Sequence, residues 1–213
     1  MYRGAVLLCA ISLFLSGCTK DRDNSTALLE ARASNRPIVS FVPVVDHSRS
    51  NLNWDVSREL SIAIRERLAQ KNQLYMIGEE PVAALAQKAL SAHDPFDGDI
   101  SWVRRSFPEN EFVVFMELMD HHEVPLTAKE DSPAELELSV RVVVVDVRDK
   151  TPKVVLQEIV EQSHHIPRQF TQANQVVWED ETFDVSPLGI AHGQLCKELA
   201  TRVEDYILIA GAR

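Results

Sequence analysis

The sequence predicts an α/β (α+β) fold, a mixed sheet with helices packed on it in the order β-α-β-α-β-β-β-α. Three observations carry this reading. A β-branched apolar run, Ile38 to Val45, precedes an amphipathic helical stripe and a second short apolar run. Three longer apolar segments then follow one another across proline-containing loops. Finally, a 3.6-residue apolar period closes the chain.

In chain order, Ile38–Val45 reads as a strand covered on both faces. Asp46 to Asn51 is a polar loop. The next helix runs from about Trp54 to Lys71, with Asn53 as N-cap and Asp55 in its first turn. Its stripe is Val56, Leu60, Ala63, Ile64 and Leu68, which leaves Arg58, Glu59, Arg65 and Glu66 to face water. Gln73–Ile77 is a short strand. Pro81 opens a helix that continues through Leu90 and is ended by Asp94-Pro95, and a brief helix falls around Ile100 to Phe107. Phe112–Met119, Leu136–Val147 and Val154–Ser163 are read as an antiparallel meander, with Val142 to Val145 as a buried central stretch. Ser186-Pro187 is an N-cap followed by proline at the first helical position. The helix it opens reaches about Ala210 through Leu188, Ala191, Leu195, Leu199, Val203, Tyr206 and Ile207.

The segments ahead of the domain carry an address. Arg3 supplies a positive start, and Ala5 to Leu15 is apolar but shorter than the roughly 20 residues a spanning helix needs. Leu15-Ser16-Gly17-Cys18 matches the lipobox of bacterial lipoproteins. The expected division is therefore a signal peptide over 1–17, a lipidated Cys18 with a flexible tether over 18–36, and one α/β domain over 37–213. Triacylation at about 0.8 kcal/mol per buried methylene makes such an anchor permanent. Thr19, in place of aspartate, follows the enterobacterial rule for the outer membrane, with the domain facing the periplasm. As flexible coil the tether would hold its ends roughly 20–25 Å apart.

Composition narrows the function. The full chain has a formal net charge of −10, and loss of Arg3 with the signal peptide makes the mature chain one unit more acidic. Such a protein repels nucleic acid and anionic lipid, so the membrane contact is the lipid itself. Of three cysteines, Cys9 leaves with the signal peptide and Cys18 is modified. Cys196 remains as a small core residue, with no intrachain disulfide available. No nucleophile elbow, phosphate-binding glycine loop or zinc-protease motif occurs, so no enzyme and no cofactor are expected.

Two candidate sites remain. The loop residues His47, Ser48, Arg49 and Asn51 follow a rigid buried strand and are the expected partner contact. His121-His122 and His164-His165 end the first and third strands of the meander, where Glu135 and Glu137 open the middle one. Their histidines would lie about 10 Å apart on one edge, a transition-metal constellation in which only one histidine of each pair can share a face. Arg104-Arg105 offers a docking patch or a solvated helix face. Gly189 and Gly193, four apart, allow close approach by the sheet or by another helix.

The run IVSFVPVVDHSRSNLNWDVSRELSIAIRERLAQKNQLYMIGEE is similar to the start of three envelope domains. These belong to the curli-secretion lipoprotein, the lipoprotein activators of penicillin-binding proteins, and the Tol-system periplasmic protein. The whole sequence also resembles a lipoprotein family of chlamydiae without an assigned activity. The resemblance implies a periplasmic α/β domain, and it departs from the curli pattern in lacking a pair of long, cleanly alternating hairpin segments. Three readings follow: an envelope adaptor that binds periplasmic or membrane proteins, an oligomeric curli-type secretion subunit, and a metal or small-ligand binder.

Overall fold

The computed structural model describes residues 20–128, 132–167 and 177–212. The expected signal peptide and Cys18 lie outside them. The architecture is α/β, with a mixed six-stranded sheet and helices on it. Five strands follow the order β3 (Tyr75–Met76), β1 (Ile38–Phe41), β4 (Phe112–Pro125), β5 (Ala134–Asp146), β6 (Lys153–Ile166), and β2 (Val45–Asp46) adds to β4 beyond the end of β1.

The segment expected as flexible coil is helical: α1 spans Lys20–Ala33. Leu28 to Ala33 are mostly strong helix formers, and the end is closed by a Schellman motif. Asn35 adopts a left-handed φ of 55°, the Asn35 N–H reaches Arg32 O, and the Arg36 N–H reaches Ala31 O at 3.1 Å. Ala31 is fully buried, so the end of α1 is seated on protein.

The expected strand Ile38–Val45 is interrupted. β1 is Ile38–Phe41, wholly buried, and β2 is Val45–Asp46. Both run parallel to β4, which spans Phe112–Pro125. Pro43 has no N–H for a ladder, so the chain bulges there. The next helix, α2 (Val56–Gln70), satisfies the freed backbone. Ser61 Oγ accepts from the Val44 N–H at 2.8 Å, and Ser57 Oγ donates to Val44 O. The N-cap of α2 is Asp55, two residues after the expected Asn53, and its carboxylate accepts the Arg58 N–H at 3.0 Å. β3, Tyr75–Met76, pairs parallel with β1. α3 spans Glu79–Leu90 and α4 is a single turn, Val103–Ser106.

The meander is antiparallel as expected but longer. β4 pairs with β5 (Ala134–Asp146), and β5 with β6 (Lys153–Ile166). The histidine pairs therefore sit within strands and not at their ends. A register shift between Leu118 and Asp120 sets the phase beyond it. A 3-10 turn, Phe183–Val185, leads into α5, Pro187–Gly211, with Ser186 as the expected N-cap accepting the Gly189 N–H at 3.0 Å.

Strand alternation sends one set of β5 side chains, Leu136 to Val144, under α2 and α5. The other set, Val143, Val145 and Val147, packs with Phe115 of β4 against α3 and α4 through Val82, Trp102 and Phe107. Val142 to Val145 are all buried because both faces are covered there. Beyond Phe115 the second face carries no helix, and its residues turn polar: Glu117, Arg141, Asp120, Ser139, His122 and Glu137.

Candidate functional site

Phe115, Met116 and Glu117 of β4 form the floor of a half-open cleft of about 220 Å³. One wall is the bulged chain between β1 and β2, Val42 and Pro43, continuing to Val45 and His47. The opposite wall is the α3–α4 connection, from Leu90 to Phe96. That connection is held by its own aspartates, with Asp94 Oδ1 accepting the Phe96 N–H at 2.8 Å and Asp97 Oδ1 accepting the Asp99 N–H at 2.9 Å. The His93 ring stacks on Trp102 at 5.0 Å and 7°. The cleft is thus mostly apolar, with walls fixed by local hydrogen bonds and stacking.

Its polar lining is His47, His93, Asp94 and Glu117, with Glu117 on the floor. His47 Nδ1 lies 2.6 Å from Glu117 Oε1, and Arg141 Nη1 lies 3.4 Å from Oε2. The second contact is within ion-pair reach but falls short of a hydrogen bond, so Oε2 is buried without a donor. The Arg141 guanidinium sits 5.4 Å from the centroid of Phe96, bracing the outer wall. Of the residues expected to touch a partner, His47 is therefore part of the cleft. Ser48 is tied into a turn, its N–H and Oγ both donating to Asp46 Oδ1, at 2.8 and 2.6 Å. Arg49 has a left-handed φ of 57°, and both Arg49 and Asn51 are exposed.

The histidine edge is divided between two faces. The register shift places His121 opposite Leu138, on the side covered by α5, where it is buried. His121 Nε2 lies 2.9 Å from His192 Nε2 on α5, and His192 Nδ1 lies 2.7 Å from Glu59 Oε1 on α2. The Trp54 indole N–H donates to Glu59 Oε2 at 2.7 Å, completing a chain of four side chains that is buried except at the half-buried Trp54. Burial, and then the neighbouring His192, pushes the His121 pKa from 6.5 down to about 4. His164 lies on the same side, beside Gln162 Oε1 at 2.9 Å, and is lowered by burial and then by His192. On the opposite face His122 Nε2 meets Glu137 Oε2 at 3.1 Å, while His165 stands across from Glu135. The expected metal constellation is not assembled: among the described residues, no three His, Cys, Asp or Glu side chains are grouped to hold an ion.

Glu59 was expected in water and is 3% exposed instead. Its burial is possible because Trp54 and His192 meet both oxygens. The signal available in the sequence was His192 beside Ala191 on the apolar stripe of α5, which requires a polar mate on a facing element. Cys196, one turn after His192, is fully buried, and burial pushes its thiol up to about 12. Gly189 packs internally: a Cβ there would lie 2.0 Å from Phe183 O. The nearest neighbour of a Cβ at Gly193 would be Arg67 Nη2, at 3.7 Å. Arg104 donates to Asp149 O, and Arg105 is exposed. Among the described residues no helix is long and apolar enough to cross a membrane.

Solved structures with this fold include a hypothetical protein, CT253, from Chlamydia trachomatis. The two share 24% identity and a TM-score of 0.67, over 81% of this chain and 98% of that one. Two further structures match with TM-scores below 0.5. Lipoprotein GNA1162 from Neisseria meningitidis matches with 12% identity and a TM-score of 0.41, over 78% of this chain and 99% of that one. The LpoB C-terminal domain from Salmonella enterica matches with 12% identity and a TM-score of 0.35, over 66% and 93%. No curated protein matches the sequence. A family described as of unknown function, DUF7499, matches over residues 26–211, and the chain belongs to that family.

Proposed function

We propose that this protein is a lipid-anchored, non-enzymatic module of the bacterial envelope that docks a periplasmic or membrane protein. The anchor is the diacylglyceryl group on Cys18, and Thr19 directs the product to the outer membrane with the domain in the periplasm. The observation that carries docking is the half-open apolar cleft beside Glu117, built where two covered strands meet the loop that follows Val45. Interaction energy concentrates where an anchor side chain enters a preformed pocket on a rigid scaffold, and this cleft has that form. α1 is about 21 Å long as a 14-residue helix, so it would act as a spacer between the bilayer and the domain.

The test is photocrosslinking in living cells from positions 48 and 105, which flank the cleft-forming segments, with position 197 on α5 as a distant control. One dominant envelope-protein adduct from 48 and none from 197 is the expected result. A ladder of self-adducts would replace docking by self-assembly, and an empty lane at 48 would remove the docking reading. Palmitate labelling that survives Cys18→Ser would remove the anchor.

A further inference from the structure

The two edges of the sheet are built differently. β3, at one edge, is two residues long. β6, at the other, has 14 residues, and among the described residues it pairs with β5 alone. An unpaired edge offers its N–H and C=O groups to any passing strand, so it is normally kept short or interrupted by proline, lysine or a bulge. β6 contains no proline and no glycine, and its one lysine, Lys153, is its first residue. Its register shift falls between Val154 and Leu156, at that same end. At about 3.3 Å per residue, the strand presents an edge roughly 46 Å long.

Apolar side chains border this edge. Ile159 is 50% exposed and Val154 is 40% exposed. On α5, Arg202 Nη1 donates to Glu158 Oε2 at 3.0 Å and Glu198 accepts from Gln162 at 2.7 Å, so this side of the helix leans over β6. Tyr206 and Ile209 continue that side toward the start of β6, and both are exposed. Apolar groups gathered along an unprotected strand mark a place where another strand adds.

We propose that the strand added is β6 of a second copy of this chain, joined antiparallel through a twofold axis normal to the sheet. The sequence of β6 is complementary to itself in that arrangement. With the axis at Ile159, this residue meets the partner's Ile159, Gln157 faces the partner's Glu161, and Lys153 faces the partner's His165. With the axis at Val160, Glu158 faces the partner's Gln162 and Ile159 faces the partner's Glu161. Neither register sets two carboxylates opposite each other, which would destabilise the ladder. Both place the aliphatic pair Ile159-Val160 at the centre and bring nearly the whole of β6 against its copy. The inference goes beyond the docking reading and stands apart from it, because the cleft borders β1, β2 and β4, across β5 from this edge.

The experiment measures the mass of the full mature lipoprotein in density-matched detergent micelles by analytical ultracentrifugation. We expect a dimer. Ile159→Glu would set a new carboxylate against one of the partner in either register, against its own counterpart or the partner's Glu161. Within the chain it stands opposite Arg141, so the fold should be kept, with an unchanged circular dichroism spectrum. The dimer of this variant should be at least tenfold weaker. A photoreactive residue at position 159 in living cells should yield an adduct of two copies of this chain. A wild-type monomer would overturn the inference, as would a dimer that survives Ile159→Glu. An adduct from 159 with a different protein and none with a second copy would also overturn it, assigning the edge to a foreign strand. The adduct at position 48 decides docking separately, and neither result alters the other.

Discussion

His121 on β4 and His192 on α5 face each other through their Nε2 atoms at 2.9 Å inside the protein, with Glu59 behind His192. One hydrogen lies between the two nitrogens. One ring donates and the other accepts, and burial, then the neighbouring His192, disfavours a charge on His121.

The acid sensitivity of the fold follows from that contact. His121 titrates near 6.5 when unfolded and near 4 when folded, because burial and then His192 disfavour its charge. Between those values the unfolded chain binds the proton and the folded chain does not, so stability falls as pH drops from about 6.5 to about 4 and levels off below. The contribution of His121 to this loss is about 3 kcal/mol. Urea unfolding at pH 7 and pH 4.5 should show it, and His121→Gln should flatten the difference. An unchanged difference in that variant would mean the acid response arises at other groups.

Glu59 is the hinge of the same chain of contacts. Glu59→Ala leaves the Trp54 indole N–H and His192 Nδ1 without their shared acceptor, and should cost about 3 kcal/mol. Glu59→Gln keeps one acceptor oxygen and should cost less. Denaturant midpoints compare the two, and equal losses would show that side-chain volume matters here and not the acceptors.

The order of elements was legible because it depends on local period: Ile38 to Phe41, the meander segments and the α5 stripe each carry their own pattern. Ser186-Pro187 was also legible, since proline at a first helical position has few other places to go. Asn53 and Asp55 are both competent caps, so choosing between them needed the Arg58 N–H. The polar composition ahead of Arg36 concealed α1, although Asn35 after Ala33-Ser34 is the kind of residue that closes a helix. What the sequence could not reveal depends on pairing. The phase of His121 is decided by the register shift between Leu118 and Asp120 against β5, and one residue of slip exchanges core and solvent faces. The cleft is assembled from segments near residues 42–47, 90–96 and 115–117, and no single window of sequence contains it.

Two glycines four residues apart should respond in opposite directions. A Cβ at Gly189 would lie 2.0 Å from Phe183 O and 2.7 Å from the carbonyl carbon, so Gly189→Ala must displace the 3-10 turn and strain the Ser186 cap. A loss of about 2–4 kcal/mol is expected. At Gly193 the nearest atom is the end of the Arg67 side chain at 3.7 Å, so Gly193→Ala should gain up to about 1 kcal/mol from helix propensity. Thermal unfolding of the two variants measures both signs. A destabilised Gly193→Ala would indicate that backbone there is approached by something the fold alone does not supply.

Thiol titration tests the core and the anchor together. Cys196 is fully buried, and burial pushes its pKa up to about 12. At pH 8 about one thiol in ten thousand would be ionised, and reaction with a disulfide reagent requires both the thiolate and access. In the proposed anchored form Cys9 would be lost with the signal peptide and Cys18 closed as a thioether, which would leave one thiol of the three in the sequence. The mature protein should therefore show no reactive thiol when folded and one after denaturation. One folded and two denatured would mean that Cys18 is unmodified, whereas a thiol reacting in the folded protein despite confirmed lipidation would mean that α5 opens locally around Cys196.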